Sequence, residues 1–208
     1  MYDLVLARYA ESVDWARTYP PAGYRVLVYD MSADPLPGHI NTPNAGQEPG
    51  AYLTHIMDNY NKLADVTVFT QAHPFDHCCI TRSLADELRT LLTAPPITYK
   101  PLSEIVECCM WEQMVPRLRD PKLHPPSPLL KYGEAPLIAA AAYLGLKCPE
   151  KFKYAHGAIF AVPRAAILQH PFEFYLKVYQ WAAHSAKTLE AGLLERLWAV
   201  IFSRNDHA

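Results

Sequence analysis

The residues best equipped for chemistry in this chain fall where three predicted strands end. Arg8 and Tyr9 close the first, Asp30 closes the second, and Gln71-Ala72-His73-Pro74-Phe75-Asp76-His77 follows the third. In open α/β sheets, ligands bind in the crevice beyond the carboxyl ends of the strands. The order therefore sets a guanidinium, a carboxylate and a His/Asp-rich turn on one rim. Arg8 offers a forked donor that matches phosphate oxygens, or else one half of an ion pair. Asp30 accepts from a ribose or a base, or caps the loop after its strand. Asp76 is a candidate ligand for a divalent cation, although Pro-Phe-Asp is also an ordinary turn.

A second set lies on predicted helices. Glu48 stands just before an apolar periodicity, where the free N–H groups of a helix N-terminus favour a carboxylate. His55 and Asn59 are four apart and share a helix face, an arrangement that more often serves structure than catalysis. Glu190 and Glu195, five apart, do not share a face closely. His73, His77, Cys78 and Cys79 are zinc-type ligands, but the chain holds no CxxC pair. Buried, inert thiols are the preferred reading. No G-x-G-x-x-G follows the first strand, and neither a P-loop nor a G-x-S-x-G elbow is present. Dehydrogenase, P-loop nucleotidase and acyl hydrolase chemistries are thus poorly supported.

The elements that must position these residues read as follows. Tyr2 to Ala7 and Tyr24 to Tyr29 are apolar, β-rich runs predicted as strands, with helical spacing over Glu11 to Thr18 between them. Tyr19-Pro20-Pro21-Ala22-Gly23 stops that helix. A β-α-β opening favours parallel pairing with helices packed on the sheet. Ser32 to Gly50 is predicted mostly as loop. A helix over Ala51 to Lys62 carries Leu53, Ile56, Met57 and Tyr60 at intervals of three and four. Val66 to Thr70 is a strand by its β-branched content, and Ser83 begins a helix through Leu84, Leu88, Leu91 and Leu92. Ser103 to Val115 is predicted helical and Ala155 to Val162 as a late strand. Helices around 171–183 and 188–202 close the chain. Prolines punctuate residues 116–136, which excludes regular structure there and predicts a long loop. The expectation is one α/β domain over residues 1–208.

Bulk properties narrow the classes. With 208 residues, half of them apolar and 12% aromatic, the chain has material for a real core and is not disordered. A formal net charge of −2 argues against a nucleic-acid backbone as partner. The modest basic segment Arg117, Arg119, Lys122, His124 and Lys131 leaves tRNA contact open. Met1-Tyr2-Asp3 is not the basic start of a secretory signal. The longest apolar run, Pro136 to Leu146, is too short for a membrane span. Five cysteines, four of them in adjacent pairs, do not form a secreted disulfide framework. A cytoplasmic location is expected.

Four stretches carry a resemblance. They are Asn44-Ala45-Gly46-Gln47-Glu48, Tyr52 to Tyr60, Leu63 to Phe69, and Gln71 to His77. The C-terminal half adds Gly157 to Val162, His170 to Tyr175, and Leu194-Glu195-Arg196-Leu197-Trp198 with Ile201-Phe202. Together they resemble a domain-of-unknown-function family of fungi, bacteria and large viruses, which is itself similar to A-type glycosyltransferases. The resemblance implies a mixed, mostly parallel sheet flanked by helices, Rossmann-like, with a nucleotide-sugar donor and a small-molecule or glycan acceptor at the strand ends. It implies Glu48, His55 and Glu195 as catalytic candidates. Arg8, Tyr9, Asp30, Asn44, Gln71, His73, Asp76, His77 and Gly157 become the donor- and substrate-binding candidates. An Asp-x-Asp would normally hold Mg²⁺ or Mn²⁺, whereas this chain has Gln71-Ala72-His73 with Asp76 three residues on, so Asp76 is the candidate ligand. A basic residue usual in the family is replaced by Gln47. Two other functions share these residues: an aminoacyl-tRNA-dependent, cyclodipeptide synthase-like transferase, and a nucleotide- or glycan-binding protein without turnover.

Overall fold

A computed structural model of the chain describes residues 1–76, 83–109 and 136–203. Its main sheet is built around β1 (Tyr2–Arg8), which pairs in parallel with β2 (Tyr24–Asp30) on one side and β4 (Val66–Gln71) on the other. Strands buried on both faces read as continuous apolar runs, and Leu4, Val5 and Leu6 are fully buried. The short β3 (Ile40–Asn41) extends the parallel set beyond β2. Arg8 lies opposite Asp30, and Ala7 opposite Gln71, so the strands end level with one another.

The other edge reverses direction. β8 (Phe160–Pro163) runs antiparallel to β4, with Phe160 opposite Phe69, and β5 (Lys100–Pro101) runs antiparallel to β8. The result is a mixed six-stranded sheet in the order β3-β2-β1-β4-β8-β5. Because β8 is reversed, the turn that precedes it arrives at the same rim as the ends of β1 and β4. Pro101 sits on the edge strand, where a missing N–H costs no ladder bond.

Helices cover both faces. On one, α1 (Gln47–Asn59), α3 (Pro136–Leu144), α5 (Phe172–Ala182) and α6 (Leu189–Phe202) pack with Val5, Ala7, Tyr29, Phe69 and Phe160 in the larger core cluster. On the other, α2 (Leu84–Thr93) and a 3-10 turn at Asp14–Arg17 bury Leu84, Leu88, Leu91, Val13 and Ala16 against Leu4, Leu6, Val66 and Val68. Ser83 caps α2 by accepting the Asp86 N–H at 3.2 Å, and Thr188 caps α6 by accepting that of Ala191 at 3.1 Å. A single turn of helix, α4 (Arg164–Ile167), follows β8 directly.

Several predicted elements are corrected. Residues 105–109 form a strand, β6 (Ile105–Cys109), rather than a helix; it pairs with β7 (Lys151–Ala155) as a separate two-stranded sheet. Val106 and Cys108 lie opposite Tyr154 and Phe152, and this cross-strand pairing overrides the helical spacing. The late strand breaks in two at His156–Ala158, where Gly157 takes φ 70°. Glu11 to Thr18 forms only the 3-10 turn. The predicted loop over 32–50 contains β3 and the first turn of α1, and the apolar run at Pro136 is helical. The rest of the proline-rich segment, with Arg117, Arg119, Lys122, His124 and Lys131, lies outside the described residues, as do His77, Cys78 and Cys79. Among the described residues, no helix is long and apolar enough to cross a membrane.

Candidate functional site

A pocket of about 230 Å³ opens at the carboxyl rim of the sheet, on the α1 face. Gln71 at the end of β4 lines it, and the first turn of α1 supplies Gln47, Glu48 and Pro49. The turn between β7 and β8 adds His156, Gly157 and Ala158, and the first two turns of α6 add Ala191, Gly192 and Glu195.

Two left-handed backbone pairs hold these walls, each a glycine followed by a residue with a side chain. Gly46 and Gln47 have φ 72° and 53°, and Gly157 and Ala158 have 70° and 53°. Gln47 and Ala158 are the two non-glycine residues with positive φ among the described residues, and both face this pocket. The left-handed conformation costs an L-residue roughly 1–2 kcal/mol, and such strain gathers at ligand and catalytic sites. The α1 entrance leaves no room for side chains at its glycines. A Cβ on Gly46 would lie 3.0 Å from the Ala182 carbonyl oxygen, and one on Gly50 only 1.8 Å from that of Ala45. The Gly46 N–H also donates to the Ser185 carbonyl at 2.7 Å, which pins the start of α1 against the chain beyond α5.

The charged lining groups are two carboxylates. Glu195 Oε1 accepts the Gly157 N–H at 2.8 Å, and Oε2 lies 3.2 Å from Arg196 Nη1. Arg196 also donates to the Gly192 carbonyl at 2.6 Å and stands over the Tyr154 ring. Glu48 is different. Burial pushes its carboxyl up, against a lowering hydrogen bond from its own N–H, and Glu195 and Glu11 add repulsion. Tyr52, fully buried below, donates its hydroxyl to the Ala158 carbonyl at 3.2 Å. Burial, then Glu48 and Glu195, hold that phenol well above its usual range. Among the described residues, no lysine or arginine lines the pocket.

The pocket thus unites Glu48, Gln71, Gly157 and Glu195 from the predicted set. The remaining candidates lie elsewhere. Arg8 and Asp30 pair with each other, Nη1 to Oδ2 at 2.6 Å, with Arg8 only 7% exposed and Asp30 fully buried. Asp30 further accepts from the Ser32 hydroxyl and N–H and the Leu36 N–H, and His39 Nδ1 lies 3.0 Å away. Burial alone would raise its pKa, but the bonds from Ser32, His39 and Leu36 prevail and hold it far below the usual range. This network ties the loop after β2 to the end of β1 and consumes the charge offered to a phosphate.

His55 sits in the core with no exposed surface and does not line the pocket. Its Nδ1 is 3.1 Å from the Tyr29 hydroxyl, and its Nε2 is 3.8 Å from Asp3, itself gripped by Arg25 at 2.9 and 2.8 Å. Burial lowers its pKa to about 4, so the ring stays neutral, although Asp3 pulls the other way. Tyr9 and Asn44 are exposed. His73 and Asp76 are exposed too, 3.7 Å apart, with the His73 ring edge-on to Phe75. Among the described residues, no group of three or more His, Cys, Asp or Glu side chains could hold a metal ion.

Gln47, His156, Ala158 and Gly192 were not picked out as site residues by sequence. A glycine inside the apolar final helix was the available signal for Gly192: a Cβ there would meet nothing within 4 Å. The backbone strain at Gln47 and Ala158 has no counterpart in residue type.

Searches of curated proteins and of solved structures gave no match. A family model described as "Protein of unknown function (DUF3431)" matches residues 4–208, nearly the whole chain, and the protein belongs to that family.

Proposed function

We propose that this protein is a group-transfer enzyme, a glycosyltransferase with a nucleotide-sugar donor, and that the Glu48 pocket is where its acceptor reacts. One observation carries the reading: a carboxylate with a raised pKa stands in a strained pocket at the carboxyl rim of the parallel strands. A general base works best when its pKa is brought toward the working pH, and burial beside Glu195 moves Glu48 that way.

In the reaction, the bond between the sugar's anomeric carbon and the donor phosphate breaks, with its electron pair left on the phosphate oxygen. The acceptor oxygen bonds to that carbon and gives its proton to Glu48. Glu195 holds the Gly157 turn through the peptide N–H and so fixes the opposite wall. His55 has no chemical part, since it is sealed in the core. The exposed Asp76 and His73 are a poor match for Mg²⁺ or Mn²⁺, which favour several oxygen ligands, and no step is routed through a metal.

Thermal melts with a panel of nucleotide sugars test the donor, since a ligand of the folded state raises Tm by mass action. No shift with any of them removes the donor class. Glu48→Gln is expected to lower transfer by about 10²–10⁴-fold, the usual contribution of a positioned base. An unchanged rate removes Glu48 from the chemistry, and donor binding without turnover by the native protein would make it a binding protein.

A further inference from the structure

The charge of the pocket narrows what enters it. Among the described residues its lining carries Glu48 and Glu195, with Gln47, Gln71 and His156 as the other polar side chains and no lysine or arginine. Arg196 compensates part of Glu195, but its guanidinium is committed to Glu195, the Gly192 carbonyl and the Tyr154 face. Glu48 is partly buried and lines the cavity, and among the described residues no other side chain donates a hydrogen bond to its carboxylate. Its carboxylate oxygens keep acceptor capacity for a donor on a bound molecule. A diphosphate would meet two carboxylates at close range, so the donor's phosphates belong outside this cavity. At about 230 Å³ it also falls below the usual range for drug-sized ligands, roughly 300–1,000 Å³, and suits a single small group.

We infer that the pocket is the acceptor subsite and that it takes a small hydroxyl compound bearing a protonated amine, an amino sugar or amino alcohol, with the ammonium on Glu195 and the reacting hydroxyl on Glu48. The inference rests on the transferase reading for the word acceptor, but the preference for a cation stands on the pocket alone. Glu195 keeps lone pairs free after Gly157 and Arg196, since an ionised carboxylate has about four acceptor sites. Gly192 lines the same pocket, with open space where a Cβ would stand.

Calorimetric titration with glucosamine, glucose and glucose 6-phosphate separates amine, neutral and phosphate versions of one ring. Glucosamine is expected to bind at least about tenfold more tightly than glucose, the factor one charge-assisted hydrogen bond supplies, and the phosphate not detectably. Glu195→Gln, which can still accept from the Gly157 N–H, should reduce glucosamine to the level of glucose. Gly192→Leu should abolish all binding while its melting curve stays cooperative, because the space at that position is empty. Equal binding of glucose and glucosamine, preference for the phosphate, or no binding of any of the three overturns the inference. Donor turnover is measured separately. Glucosamine preference without turnover of any nucleotide sugar would sink the transferase reading and keep the amine site, and turnover with neutral acceptors alone would do the reverse.

Discussion

Asp30 at the end of β2 is fully buried and Glu48 at the start of α1 partly so, both at the rim of one sheet, yet their pKa values move in opposite directions. Both are penalised by burial. Asp30 has an arginine, a hydroxyl, two peptide N–H groups and a histidine ring around it, and these outweigh the penalty. Glu48 has its own N–H and two other carboxylates, so the penalty stands. A satisfied buried charge is a structural joint; an under-satisfied one in a cavity keeps capacity for a ligand or a proton. The ion pair of Arg8 and Asp30, attractive as a phosphate clamp from sequence, is thus the less available of the two regions.

The comparison breaks most readily at Asp30. Asp30→Ala would leave Arg8 buried without its carboxylate and should cost about 3–5 kcal/mol. Denaturant unfolding measures it, and a loss below about 1 kcal/mol would show that Arg8 has other support. Acid sharpens the contrast from the opposite sign. Asp30 contributes stability above its unfolded value of 3.8, lost only as pH falls toward its depressed folded pKa.

His55 acts earlier in the same titration. Its folded pKa of about 4 lies below 6.5, so the unfolded chain binds the proton first, and stability is lost as pH falls from 6.5 to 4. The loss is on the order of 3 kcal/mol, and His55→Gln should flatten that limb of the melting temperature against pH. A limb unchanged in the variant would move the titration to another group.

Glu48 gives a smaller effect that runs the other way. Its folded pKa is raised above 4.5, so the native protein loses stability as pH rises from 4.5 through the folded value. Glu48→Gln cannot ionise, and its Tm should exceed that of the native protein at neutral pH and match it near pH 4. A lower Tm at neutral pH would mean that the ionised carboxylate is well satisfied, and the distinction from Asp30 would fail. The smallest effect belongs to the backbone. Ala158→Gly should raise stability by less than about 1 kcal/mol, since relief of the strained φ is partly offset by the entropy of glycine. A fall in Tm would show that φ 53° at Ala158 is not a strain.

Much of this was legible before folding. The apolar runs at 2–7 and 66–70 are central strands because two buried faces demand continuous hydrophobicity. The run at 24–29 forms the next strand although its first half is partly exposed. Leu84, Leu88 and Leu91 mark the buried face of α2 by spacing alone. Glu48 and Glu195 stood among the candidates, though nothing ranked them, and Gln71 and Gly157 were placed by strand ends and resemblance. Less legible were β6 and β7: Lys151-Phe152-Lys153-Tyr154 alternates with a period of two, but a short strand declares itself only when its partner is known. His55 misled because a histidine at helical spacing looks the same whether its face meets a cavity or a core.

The sequence by itself determined the elements whose periodicity is strong, the family, and a carboxylate at each of two helices. Tertiary structure decided which carboxylates meet, because residues 48, 157 and 195 become neighbours only when β8 reverses against β4 and α6 lies beside α1. It also decided the sense of each pKa shift, since burial and donor count are properties of the surroundings and not of the residue. Asp and Glu carry the same chemistry in the chain; the fold made one a joint and set the other in a pocket wall.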